Sequence, residues 1–180
     1  GIYDPNVKRS NYVAKKYKTV AFQGLKKLIE NVDALSIGTP TSNHYKTAKL
    51  CIENKKHVFI EKPITVTLEE ANELLDLSKN NSTIIQVGHI ERLNPALMAL
   101  EAYDINPKFI EIQRLAPYTV RGTDVPVILD KMIHDIDILL SLVKSEVKSL
   151  EATGMSIITS SLDMAHARLQ FKNGATASLM

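Results

Sequence analysis

Lys62 stands between Glu61 and Pro63, directly after His57-Val58-Phe59-Ile60. Those four residues read as a short buried strand, and the proline stops its ladder at once. The charged pair is therefore presented at the C-terminal end of a strand, the edge where open parallel α/β sheets bind their ligands. A lysine and a glutamate held together in a partly dry crevice set each other's charge state. An ordinary solvated turn is the competing reading, and on these three residues alone the two weigh about equally.

A second set of chemically capable residues lies further along the chain. Asp130, His134 and Asp137 recur at helical spacing and share one face with Ser141. Leu129, Met132, Ile133, Ile136, Leu139 and Leu140 form the opposite, apolar face. A histidine with a carboxylate one turn away on each side is expected to be more basic and fixed in orientation, as a general base requires. Asp130 and His134 could also be two ligands of a metal, but no convincing third or fourth ligand lies nearby, so the base role ranks first. His57 and His166 fall in strand patterns and are expected to be structural.

Three loops supply further candidates. Asp4 closes a short strand at Ile2-Tyr3 and precedes a helix. Such an acidic residue can accept hydrogen bonds from an adenosine ribose, and its charge disfavours NADP relative to NAD; a plain turn-capping role is the alternative. Thr39-Pro40-Thr41-Ser42-Asn43-His44 joins a strand end to a helix start, where backbone N–H groups and hydroxyls suit an anionic or ribose ligand. Gly88 to Pro95 repeats that context, with Arg92 and Asn94 as candidates for holding substrate, the arginine through its forked donors.

The elements that position these residues follow from pattern. Lys8 to Tyr17 and Leu25 to Glu30 read as helices, Ala34 to Ile37 as a strand, and the helix capped at Ser42 or Asn43 as running to about Asn54. Thr67 with Glu70 is a capping box opening a helix from Leu68 to Lys79, and Thr83 to Val87 is a further strand. This alternation predicts a parallel, doubly wound α/β sheet of the Rossmann type. After Pro107 the pattern changes. Phe109 to Leu115 alternates like an antiparallel strand, Asp124 to Val143 is a long helix, and strands come next, separated by turns such as Lys172-Asn173-Gly174. Two units are expected: residues 1–106, an incomplete nucleotide-binding Rossmann domain, and residues 107–180, an incomplete α+β domain with a mostly antiparallel sheet. Both chain ends fall inside strand-like stretches, so a piece of a longer protein is expected, one without the first strand and its glycine-rich loop.

Composition narrows the function. A net charge of +2 with scattered lysines argues against a nucleic-acid partner, and no apolar run could span a bilayer. The single cysteine, Cys51, cannot form an internal disulfide and suits a reducing cytoplasm.

Taken in order, Asp4, Thr39-Pro40 with His44, Glu61-Lys62-Pro63, Gly88 with Arg92, then Asp130 and His134 resemble the glucose–fructose oxidoreductase, inositol dehydrogenase and MocA family of NAD(P)-dependent oxidoreductases. The resemblance covers essentially the whole chain. It implies a Rossmann domain followed by a substrate domain whose sheet often forms an oligomer interface, hence a homo-oligomer (dimer or tetramer). It implies NAD as cofactor, with Asp4, Thr39, Pro40, His44, Glu61 and Lys62 around it. Val125 to Asp137 looks most like family members that oxidise nucleotide-linked amino sugars. The implied reaction is hydride transfer from a secondary alcohol of a sugar or nucleotide sugar. His134 would be the base, oriented by Asp130; Lys62 would stabilise the alkoxide, held by Glu61; and the roles of Lys62 and His134 could be exchanged. A silent binding module, or a dehydrogenase of the biliverdin-reductase or dihydrodiol type, are the rival readings.

Overall fold

The computed structural model describes residues 1–117 and 125–180. Asp124, the expected first residue of the long helix, lies outside them. The chain opens with Ile2 in an isolated parallel bridge to Ala21. Helix α1 (Val7–Lys16) comes next, capped by the Asn6 side chain, which accepts from Arg9 N. After α2 (Leu25–Glu30) come strand β1 (Ala34–Ile37), helix α3 (His44–Glu53), β2 (His57–Ile60), α4 (Leu68–Asn81) and β3 (Ile85–Val87). The three strands pair in parallel in the order β1-β2-β3. Thr67 and Glu70 exchange their reciprocal hydrogen bonds at the start of α4, as the capping-box spacing requires.

Alternation within the strands decides which face is buried. Leu35, Ile37, Val58 and Ile60 point into a core with Ile29 of α2, Ala48, Cys51 and Ile52 of α3, and Leu74 of α4. Ala34, Ser36 and His57 remain exposed on the other side. Register places Ile37, Ile60 and Val87 level with one another, so Gly38, Glu61 and Gly88 emerge together on one sheet edge.

The second sheet has the order β4-β7-β6-β5, with β4 at Phe109–Ile112, β5 at Val147–Met155, β6 at Met164–Phe171 and β7 at Thr176–Leu179. Gly174, with φ +85°, makes the turn between β6 and β7, a conformation that costs a glycine nothing. The antiparallel expectation for β4 is corrected: it pairs with β7 in parallel. Alternation reports that one face is buried and carries no information about the direction of the neighbouring strand. Ala167, Leu169, Phe171, Ala177 and Leu179 form the core with Met132, Leu139 and Val143 from the long helix.

That helix departs from the expected regular one. Ile128–Met132 is a π-helical turn, and only then does α6 (Ile133–Leu142) begin. The expected apolar face is kept in part, with Met132, Ile136 and Leu139 packed in the core. Leu140, expected on the apolar stripe, is exposed, while Asp135 and Asp137 are buried.

Candidate active site

Lys62 leaves the end of β2 and reaches the π-turn at Ile128–Met132. Its Nζ donates to Asp130 O at 2.6 Å and to Asp130 Oδ1 at 2.8 Å. Both side chains are largely buried, and Lys131 Nζ lies 3.1 Å from the other carboxylate oxygen. A π-turn is a natural place for such a contact, since its irregular ladder presents a carbonyl to a side chain from another element. Burial pushes the Asp130 carboxyl up, and the hydrogen bonds from Lys62 and Lys131 outweigh that, leaving it below its ordinary value. Two expectations are corrected together. Asp130 holds Lys62 rather than His134, and no described side chain, Lys62 included, pairs with Glu61.

His134 sits one turn beyond Asp130, half-buried, and its Nδ1 is a buried atom without a hydrogen-bond partner among the described residues. The expected rise in basicity is reversed. Burial lowers it first, the charges of Lys62 and Arg114 lower it further, and Glu91 and Asp135 only partly oppose them. The outcome still suits a base, because a neutral imidazole has a free lone pair to receive a proton.

Arg114 and Asp135 are participants that sequence reasoning missed. Arg114 lies just beyond β4, and its Nε and Nη2 donate to the Asp135 carboxylate at 2.7–3.0 Å. Asp135 lies next to His134 and is 3% exposed. Nothing in the local pattern marks this aspartate as buried; the distant arginine makes its burial tolerable. Arg114, Asp130 and Lys131 also border a cavity of about 540 Å³.

Several candidates occupy other roles. Arg92 Nε and Nη2 grip Asp137, at 2.7 and 2.5 Å, so the fork expected to hold substrate is closed on a buried carboxylate. Asn94 caps the short helix α5 (Pro95–Met98), accepting from Ala96 N at 3.0 Å. His44 is 1% exposed, with Nδ1 2.8 Å from Pro63 O and Nε2 2.9 Å from Thr39 O. The expected cofactor contact from His44 thus gives way to a clamp that ties the Lys62-Pro63 turn to the Thr39 loop. Thr39 and Pro40 are exposed at the end of β1. Asp4 accepts from Asn6 N and keeps its second oxygen 3.5 Å from Arg9, beside a small cavity of about 150 Å³. Among the described residues no cluster of His, Cys, Asp or Glu could hold a metal ion.

The sheet edge bears directly on nucleotide chemistry. A Cβ on Gly88 would lie 2.9 Å from Glu61 Oε2 and 3.3 Å from Glu61 Cα. A glycine is needed there for two strand ends to run this close. Residues 1–89 match the family described as an oxidoreductase family with an NAD-binding Rossmann fold. The chain is 37% identical, over 99% of its length, to UDP-N-acetylglucosamine 3-dehydrogenase of Acidithiobacillus ferrooxidans, of which it spans 58%. The solved structure of that enzyme superposes with a TM-score of 0.93, covering 99% of this chain and 59% of the other. The chain belongs to the glucose–fructose oxidoreductase, inositol dehydrogenase and MocA family. Another family member, scyllo-inositol 2-dehydrogenase (NAD(+)) of Bacillus subtilis, is 29% identical over 82% of this chain and 48% of its own length. The chain therefore spans about half the length of these relatives. No helix among the described residues is long and apolar enough to cross a membrane.

Proposed function

We propose that this chain carries the cofactor edge and reacting centre of an NAD-dependent dehydrogenase acting on a secondary alcohol of a sugar or nucleotide sugar. The observation that carries the reading is the double hydrogen bond from Lys62 to Asp130, one turn before His134, whose buried Nδ1 has no partner among the described residues. It joins a lysine from the ligand-binding edge of a parallel sheet to a proton acceptor on another element.

NAD, when bound, supplies the hydride acceptor. The residues present fit it: Gly88 allows close backbone approach, Asp4 offers a carboxylate oxygen for ribose hydroxyls, and Thr39, Pro40 and Glu61 lie along the same edge. His134 takes the proton of the substrate hydroxyl. Lys62 directs its third N–H at the same oxygen and stabilises the alkoxide character that develops there. Asp130 fixes Lys62 by accepting its other two donors, so the ammonium is oriented before substrate arrives. The engagement of Lys62 as a donor supports His134 as the base and Lys62 as the electrostatic partner.

The test uses the full-length protein with NAD and a panel that includes UDP-N-acetylglucosamine and scyllo-inositol, following NADH formation. His134→Ala and Lys62→Met are each expected to lower kcat by roughly 10²- to 10⁴-fold, the usual worth of a positioned acid–base or oxyanion group. Near wild-type turnover in both variants would sink the proposed site.

A further inference from the structure

Asp163 immediately precedes β6 and has no part in the reacting centre. Its Oδ1 accepts from Ile157 N at 2.8 Å, and its Oδ2 accepts from Ile158 N and Thr159 N, both at 2.7 Å. Three consecutive amides thus fold around one carboxylate. Those bonds hold the carboxyl below its ordinary value, the backbone amide of Ile157 contributing most. Thr159 and Ser161 close the turn further, with Ser161 N donating to Thr159 Oγ1 at 3.1 Å. The turn between β5 and β6 has few apolar anchors, since Ile157 and Ile158 are exposed. The carboxylate is what gives it a shape.

That shape matters in two places. Ile157, Ile158, Thr159 and Leu162 line the 540 Å³ cavity together with Arg114, Asp130 and Lys131. Leu162 O also accepts from Val127 N at 2.9 Å, immediately before the π-turn that carries Asp130. Gly154 belongs to the same device, because a Cβ there would stand 3.3 Å from both methyl carbons of Leu162. Leu162, next to Asp163 in the chain, is thus tied by one hydrogen bond to Val127, three residues before the Asp130 carbonyl and carboxylate that hold Lys62.

We propose that Asp163 is a positioning residue for the alcohol substrate. It shapes the cavity wall that the substrate's distal part meets, and through Leu162 and Val127 it sets the turn that places Asp130 on Lys62. This role rests on the dehydrogenase reading, with the cavity as the substrate side of the reacting centre. It assigns Asp163 no contact with the cofactor, whose edge lies on the other sheet.

The expected consequence is an asymmetric one. In the full-length protein, D163A raises KM for the alcohol by roughly ten- to a hundredfold, the cost of misplacing a substrate by about an ångström, and leaves KM for NAD nearly unchanged. D163N, which keeps one acceptor oxygen, gives a smaller rise of the same kind and serves if D163A does not fold. UDP-N-acetylglucosamine and scyllo-inositol are the probes. Amide hydrogen exchange provides a readout independent of turnover. Both variants should speed exchange at 157–159 and also at 127–130, where Val127 loses its fixed acceptor. Equal effects on the two KM values, or faster exchange confined to 157–162, would overturn the proposal. If the wild-type protein oxidises neither probe, the dehydrogenase reading fails for them, and the exchange data alone decide the link from Asp163 to the π-turn.

Discussion

Asp130 stands four residues before His134, a spacing that in an isolated helix would bring carboxylate and imidazole together. In the folded protein two lysines reach the carboxylate first, one from the end of β2 and one from the adjacent position. His134 is then left to burial and to the positive charges of Lys62 and Arg114, and both effects favour its neutral form. The acid limb of the kcat/KM profile is therefore expected below the ordinary histidine value of 6.5. Arg114→Met removes a cation near the imidazole and frees the Asp135 charge beside it. Both changes favour the imidazolium, so the limb should move to higher pH. A limb that stays in place would mean that His134 is not the base being titrated. At this scale residue types and spacing made Lys62, Asp130 and His134 legible as candidates, because a strand end and a helix face are local facts. Their pairing was not legible, and neither was Arg114, since ion-pair partners far apart in sequence leave no periodic trace.

Most of the elements could be read from the chain because their causes are local. The capping box at Thr67 and Glu70, the β-branched and apolar strand cores, and the Asn173-Gly174 turn each depend on a few neighbouring residues. The π-turn at 128–132 could not be read in the same way. Its residues are as helical in pattern as those of α6, and the contacts that accompany the widening come from distant elements, Lys62 on the Asp130 carbonyl and Leu162 O on Val127 N. The tight meeting of β2 and β3 at Glu61 and Gly88 is likewise an inter-strand fact. Gly88→Ala is expected to destabilise by roughly 1 to 3 kcal/mol, the usual range for overpacking a close contact. The Glu61 carboxylate can swing away from the new methyl, whereas its Cα at 3.3 Å cannot without shifting the strand. A urea titration of the variant against wild type would measure this, and an unchanged midpoint would show that the edge is looser than the geometry implies.

Across the molecule, two hydrophobic cores are joined near the site by polar contacts. Lys62 to Asp130 and Arg92 to Asp137 both cross from the first sheet's ligand edge to the π-turn and α6. This polar coupling makes stability depend on pH. His134 has a folded pKa below its unfolded one, so below 6.5 the unfolded chain takes up the extra proton first. Its contribution is intact above that value and is lost as pH falls through the window beneath it. Asp130, also lowered, adds a second loss below its ordinary value of 3.8. Urea midpoints should accordingly fall between about pH 7.5 and about pH 5, and His134→Gln should flatten that slope. A midpoint that rose on acidification would contradict the burial of a neutral His134.

Hydrophobic period, capping and turn chemistry act over a few residues, and they are enough to specify the order of strands and helices. They also specify the parallel nucleotide-binding class of the first unit and the residue types that could react. Other features appear only once the chain has folded: β4 runs parallel to β7, Asp135 and Asp137 are buried, Arg92 is closed on Asp137, and Asp130 belongs to Lys62. Each of these depends on which distant group arrives at a given place. The free energy of a buried charge is set by that partner and by the water it displaces, not by its neighbours in the chain.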